Sequence, residues 1–419
     1  MIRSRHAVRA AALAGAGALV LTACSSGSTG SSSSTSASAD KGPLIVGTLL
    51  PQTGSLAFLG PPEIAGVGLA VKEINAAGGV LGKPVKLENA DSSDADNAEV
   101  ATQSVTDLES KGVQVIIGAA SSAVTRNVVE DIANAKIVEI SPANTATDLS
   151  GKSPYYFRTA PSDLLQGAAL GKLITGDGYQ NVGVLVFNDD YGTSLRDVLK
   201  TTVEAAGGKI AYGNKGQEFD PKATSFADPV TAVLAAKPDA IAIIAFAQAK
   251  QIIPELKARN FDMSKVYFVD GDLSDYSKDF QPGTLAGAQG TLPGAFPDDA
   301  FQKRLLGIDG ALKDFSYSAE SYDATVLAAL AAVKGGGTDG PTIQKNLTAV
   351  SGVPGGTECT GFKACASLIT AGKDIDYKAI SGAGPFNKKN DPSTALIGVY
   401  KYGADNKYTF VKSEAGKLG

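Results

Sequence analysis

The chain has 419 residues, a formal charge of −5, three Cys and one His, His6. A mildly acidic balance argues against a nucleic-acid partner and against an electrostatic grip on anionic lipid. With no imidazole after residue 6, Ser-His-Asp and Cys-His nucleophiles, His-ligated zinc and His acid-base chemistry are all excluded from the rest of the chain.

Arg3, Arg5 and Arg9 precede an apolar run over residues 10–20, too short to span a bilayer comfortably, so residues 1–23 read as a cleaved export signal. The signal ends at Leu21-Thr22-Ala23-Cys24, which resembles the bacterial lipobox. Diacylglycerol on Cys24 would anchor the protein at the extracytoplasmic face of the cell membrane. The alternative is an ordinary secretory signal that contains a Cys. Loss of the three Arg takes the formal charge to −8. Residues 24–40, rich in Ser and Gly with nothing to bury, are expected to form a flexible tether. About 380 residues follow, more than one core usually organises, so two lobes are expected.

From residue 44 onward, short β-branched runs alternate with stretches of helical period, the pattern of strand-helix-strand units around a parallel sheet. The first set of predicted strands covers residues 44–50, 84–89, 113–117 and 137–140. The second covers 181–187, 209–212, 240–246 and 265–269. Ile64, Val67, Val71 and Ile74, and later Ala101, Val105 and Leu108, give the intervening helices one apolar face. Gly78-Gly79, Gly112 and Gly207-Gly208 follow helices at positions suited to left-handed caps. Two sets of four strands imply two doubly wound α/β lobes. Residues 155–161 are expected to cross from one to the other, and the C-terminal part, with a helix over 318–333, to cross back.

Cys359 and Cys365 read as a disulfide closing a short local loop; a metal site or a redox pair is the alternative, against which stand the six-residue spacing and the lack of His. Asp189 with Asp190, or Asp270 with Asp272, could serve a hydrolase of glycosides, although adjacent acids are more often loop residues or caps. The acids over residues 91–96 lack the Gly and Glu offsets of a calcium loop, and no phosphate-binding glycine motif occurs outside the signal. Neither a catalytic site, a metal nor a cofactor is expected.

Ligands of open α/β sheets bind beyond the carboxyl ends of the strands, where helix N-termini point outward. There the first set offers Gly118-Ala119-Ala120-Ser121-Ser122 and Ser141-Pro142-Ala143-Asn144-Thr145. Ser122 and Thr145 can present hydroxyls and helix-start amides to a carboxylate, or act as simple N-caps. The second set offers Asp189-Asp190-Tyr191-Gly192 and Asp270-Gly271-Asp272. Donors on one lobe and carboxylates on the other suit a zwitterion.

These residues also carry a family resemblance. Leu50-Pro51-Gln52-Thr53-Gly54 with Gly60, then residues 70–82 around Asn75-Ala76-Ala77-Gly78-Gly79, resemble the start of the branched-chain amino acid binding proteins of bacterial ABC importers. The likeness continues through Ile117-Gly118, Ile140-Ser141-Pro142, Phe157-Arg158-Thr159, Asp163 with Gln166-Gly167, Tyr191-Gly192, Ser321-Tyr322-Asp323-Ala324 and Gly384-Pro385-Phe386. It implies a type I periplasmic-binding-protein fold with a three-segment hinge, lobe 1 taking residues 41–160 and 291–375 and lobe 2 taking 161–290 and 376–419. It further implies that Ser122 binds the ligand carboxylate, that the Ala143 carbonyl and the Thr145 hydroxyl hold the amino acid backbone, and that Tyr191 closes over it. The ammonium falls to Asp270, with Asp272 competing. Leu59 stands where relatives often place an aromatic ring, and Tyr322 is counted among the ligand-facing residues. The implied protein is a monomeric, non-enzymatic receptor that hands an amino acid to a membrane permease; the alternative is a sensor of amides, urea or aromatic acids acting through a membrane signalling partner.

Overall fold

The computed structural model describes residues 42–418. The export signal, Cys24 and the tether therefore lie outside the described residues.

Lobe 1 starts with β1 (Ile45–Leu50), α1 (Gly60–Ala76), β2 (Lys86–Asp91), α2 (Ala98–Ser110), β3 (Val115–Gly118), α3 (Ser122–Asn134), β4 (Val138–Ser141) and β5 (Tyr156–Arg158). Lobe 2 continues with α4 (Asp163–Gly176), β6 (Asn181–Val186), α5 (Asp190–Ala205), β7 (Lys209–Tyr212), α6 (Ala227–Ala235), β8 (Ala240–Ile244), α7 (Ala249–Ala258), β9 (Val266–Phe268) and β10 (Gln289–Pro293). The chain returns to lobe 1 for α8 (Asp299–Leu306), α9 (Ser318–Gly335), α10 (Gly340–Ser351), β11 (Thr357–Cys359), α11 (Gly361–Thr370) and β12 (Ile375–Tyr377). It ends in lobe 2 with β13 (Thr394–Tyr402) and β14 (Tyr408–Lys417).

The first sheet is fully parallel, in the order β2-β1-β3-β4-β5. The second runs β14-β13-β10-β9-β8-β6-β7 and is mixed, because β13 pairs antiparallel with both β10 and β14. All eight predicted strands are present within about three residues, the usual error of boundaries read from a sequence. The sheets nevertheless have five and seven strands where four and four were expected. Three of the four missed strands carry a weak signal, since β5 has three residues, β10 contains Gly290 and Pro293, and β14 has no buried residue; no such reason covers β13, whose residues are mostly buried.

The crossings also differ from the expected boundaries. β10 hydrogen-bonds into the second sheet, so the return to lobe 1 follows Pro293 and does not occur at residue 291. Tyr377 and Phe386 pack in the lobe 1 core, so the final crossing falls after residue 386 and not at 376. Cys359 and Cys365 are disulfide-bonded, with their α-carbons 5.4 Å apart, and the bond ties β11 to α11.

A buried ion pair fastens two of the crossings together. Arg158, at the end of β5, is 0% exposed; its Nε donates to Oδ1 of Asp391 at 2.6 Å and its Nη2 to Oδ2 at 3.2 Å. The remaining guanidinium donors reach the Ala146 carbonyl and the Ser150 hydroxyl, which itself donates to Asp391. A buried pair of this kind contributes little beyond an apolar replacement, but breaking it strands a charge. Asp391→Ala should therefore lower the unfolding free energy by about 3–5 kcal/mol in chemical denaturation, while Arg158→Met combined with Asp391→Leu recovers much of that loss. A loss below about 1 kcal/mol for Asp391→Ala would contradict the clamp.

Candidate functional site

The carboxyl ends of both sheets face a shared crevice. From lobe 1 it is lined by Leu56 and Leu59, before α1, by Ala120 and Ser121 with Ser122 at the start of α3, by Ala143 and Asn144 after β4, and by Tyr317 before α9. From lobe 2 come Tyr191 in the first turn of α5, Phe246 after β8, and Asp270 with Gly271 after β9. Leu56, Leu59, Ala120 and Ala143 join the same apolar cluster as Tyr191 and Phe246, whose rings stack with centroids 5.6 Å apart. The enclosed space is about 10 Å³, room for roughly one water.

Asp270 occupies the centre. Tyr191 donates its hydroxyl to Oδ1 at 2.6 Å, Gln166 donates Nε2 to the same oxygen at 2.7 Å, and Tyr317 donates its hydroxyl to Oδ2 at 2.6 Å. Burial raises the Asp270 pKa, and these three donors oppose the rise. The Tyr317 bond crosses the crevice, from lobe 1 to lobe 2.

Ser121, not Ser122, is the N-cap of α3, accepting from the Val124 amide at 3.4 Å. The Ser122 hydroxyl accepts from the amides of Thr145 at 3.3 Å and Ala146 at 3.2 Å, which leaves its own proton to donate. Thr145 is buried just behind the lining, and its hydroxyl has no hydrogen-bond partner. Opposite lies Asp163, the first residue of α4, whose amide donates to the Thr145 carbonyl at 2.8 Å. Both Asp163 carboxyl oxygens are buried without a partner. Burial pushes its pKa up to about 7, partly offset by the Ser194 and Thr145 hydroxyls that face it without closing a hydrogen bond.

Two of the expected site residues stand elsewhere. Asp272 does not line the crevice; its Oδ1 accepts from the Val269 amide at 2.8 Å and shapes the loop. Tyr322 lies in a separate groove of lobe 1 with Phe301 and Arg304, donating its hydroxyl to Glu73 at 2.7 Å. Its position in α9, five residues beyond Tyr317, turns it to the far face of that helix. Leu56, Asp163, Gln166, Phe246 and Tyr317 are site residues that sequence reasoning missed. Asp163 and Gln166 sit in a block that carries the family likeness, yet nothing in their spacing shows which way they point. Tyr317 holds a left-handed φ of 56°, a conformation no residue type other than Gly announces.

The family model described as periplasmic binding protein matches residues 43–369. The chemotactic signal transduction system substrate-binding protein BasB of Halobacterium salinarum is 26% identical over 371 residues, 85% of this chain and 86% of that protein. The leucine-, isoleucine-, valine-, threonine- and alanine-binding protein of Pseudomonas aeruginosa is 31% identical over 164 residues, 38% of this chain and 43% of its own length. Among solved structures, the branched-chain amino acid transporter substrate-binding protein LivJ of Streptococcus pneumoniae, in complex with isoleucine, superposes with a TM-score of 0.73 at 20% identity, covering 90% of this chain and all of that one. At that identity the superposition speaks for the fold.

The buried acids make stability depend on pH. Glu139, on β4 beneath the crevice, accepts from the Ala119 amide at 3.3 Å, and burial pushes its pKa up to about 8. Asp163 and Glu139 thus keep protons in the folded chain that the unfolded chain has released, so their contribution makes stability fall as pH rises from about 4 to about 8. The ligand-free melting temperature should fall between about pH 5 and pH 8, and Glu139→Gln should flatten the upper part of the decline. A melting temperature that is level or rising over that interval would sink the assignment.

Proposed function

Since the chain belongs to the periplasmic binding protein family, we propose that it is a non-catalytic receptor that clasps an α-amino acid between its lobes and delivers it to an ABC permease. One observation carries this reading: a buried carboxylate, Asp270, faces hydroxyls and a helix N-terminus across a crevice that has no Lys or Arg in its lining. A zwitterion fits such a surface in one orientation. Its carboxylate takes the free Ser122 proton and the first amides of α3, where the helix dipole favours an anion. Its ammonium lies between Asp270, Asp163, the Thr145 hydroxyl and the Ala143 carbonyl, and Tyr191 and Phe246 cover it from lobe 2.

Magnitudes agree. A charge-assisted hydrogen bond contributes roughly 1.5–3 kcal/mol, and micromolar affinity requires about 8 kcal/mol, so four or five such bonds suffice after ordering costs. The ammonium gives Asp163 the donors it lacks and displaces neutral donors from Asp270. Ligand bridging both lobes favours the closed state because only that state makes both sets of contacts.

A second reading rests on the relative in Halobacterium salinarum, whose name places it in chemotactic signalling and whose match spans most of both chains. In that reading the same crevice reports the solute to a membrane signalling partner. Pull-down of the ligand-loaded protein with permease subunits favours delivery, and capture of a receptor or kinase favours sensing.

A thermal-shift screen over the amino acids should give a stabilising ligand, and Asp270→Asn should weaken its binding in calorimetry by about 10–100-fold, the value of one charge-assisted bond. Unchanged affinity in a folded Asp270→Asn protein would remove the ammonium role. We further propose that Cys24 carries the lipid that holds the receptor at the cell surface. Cys24→Ser should release the protein into the soluble extracellular fraction, and retention on the membrane would count against the anchor.

A further inference from the structure

Behind the crevice, α1 and α9 bring two more carboxyl groups together. Gly66 allows the approach, since a β-carbon there would lie 2.2 Å from the Ser318 carbonyl oxygen. Each helix is entered through a crevice-lining residue, Leu59 and Tyr317 respectively, and each carries a glutamate about one turn further in, Glu63 and Glu320. Glu63 is 0% and Glu320 3% exposed. Both oxygens of Glu63, Oε1 of Glu320 and the adjacent Ser321 hydroxyl are buried without a hydrogen-bond partner. The two carboxyls lie within electrostatic reach of one another and of Tyr317, whose hydroxyl reaches Asp270. Gly294, at φ +94°, makes the room for Glu320, because a β-carbon there would meet its Oε1 at 1.9 Å.

This arrangement has no structural rationale as it stands. Burial, and then the neighbouring Glu320, push the Glu63 pKa well above the usual carboxyl range; burial and Asp323 do the same to Glu320. The crevice lining contains no cation, and the buried Arg158 spends its hydrogen bonds on Asp391, Ser150 and the Ala146 carbonyl and favours the charged form of Asp163 only through its field. Asp163, Asp270, Glu63 and Glu320 therefore offer four buried carboxyls, against which a neutral amino acid brings one ammonium.

We propose that the solute is a basic amino acid, and that Glu63 and Glu320 receive the cationic nitrogen at the end of its side chain. The inference rests on the amino-acid reading above and narrows it. The α-ammonium takes Asp270 and Asp163, the aliphatic stem runs along Leu56 and Leu59, and the distal N–H groups supply the donors that Glu63, Glu320 and Ser321 lack. A cation between two carboxyls holds both in the ionised form, so the cost of burying them is offset when the solute is bound.

The test is calorimetry on the full chain with ornithine, lysine and arginine against norleucine and leucine, which lack the distal nitrogen. At least one basic amino acid should bind about 30-fold more tightly than norleucine, the range of one to two charge-assisted bonds. Glu320→Gln and Glu63→Gln should each remove about 10-fold or more of that affinity while leaving norleucine within about 3-fold. The ligand series on the unaltered protein decides the matter even if a Gln variant does not fold. Norleucine or leucine binding as tightly as every basic amino acid overturns the inference and leaves the amino-acid receptor standing. Folded Gln variants that bind the basic amino acid at full strength overturn it as well. Failure of all five compounds to bind overturns this inference, and the reading beneath it falls with it only when the screen over all the amino acids also yields no ligand.

Discussion

The Asp270 carboxylate draws hydrogen bonds from three side chains on three elements of the fold: Gln166 on α4, Tyr191 on α5 and Tyr317 ahead of α9. A charge shut away from water is tolerable only when donors surround it, and here one of the donors belongs to the opposite lobe. That single requirement couples the chemistry of the crevice to the position of the lobes. On the amino-acid reading proposed above, Asp270 loses Tyr317 and gains water when the lobes part, and an ammonium competes with three neutral donors for its two oxygens when they close. On that reading, the response to solute is written into the satisfaction of one side chain.

Other contacts between the lobes are of a different grade. At the rim, Arg126 of α3 pairs with Asp190 of α5, and Lys222 reaches Asp96 at 3.3 Å. These pairs are partly exposed and screened, and contribute little to the balance between open and closed states. The Arg158–Asp391 pair is buried and surrounded by donors, so it behaves as a fixed pivot and not as a latch. A rigid pivot with a weakly held rim leaves the solute's own contacts to decide the equilibrium.

Much of this was legible from residues alone, and the divisions are physical. Strands such as β3 and β8 are buried on both faces, so their Val and Ile runs stand out in the sequence, and the small-residue segments after β3 and β4 mark a ligand-facing end. Ser122, Ala143, Tyr191 and Asp270 follow from those segments and meet at the crevice, Ala143 and Ser122 from one side and Tyr191 and Asp270 from the other. The brevity of β5, the Gly and Pro in β10 and the exposure of β14 weaken that signal, and the lobe boundaries slipped with them; β13 carries it and was missed all the same. The direction of a side chain on a loop or first helical turn is set by tertiary packing: Asp270 and Asp272 are two residues apart, and only the fold tells which faces the solute. Glu63 and Glu320 are the extreme case, since they are far apart in the chain and come within electrostatic reach through two helices that Gly66 lets approach closely.

The enclosed space of about 10 Å³ bears on timing. For the solute proposed above, a side chain and its charged ends cannot slip past Leu59, Tyr191 and Phe246 while the lobes are shut, so departure waits on the breathing of the whole molecule. Such domain motions fall in the microsecond to millisecond range. Residence of the solute is then governed by how seldom the jaws part, and a membrane partner that pries them open would hasten unloading without touching a single contact to the cargo.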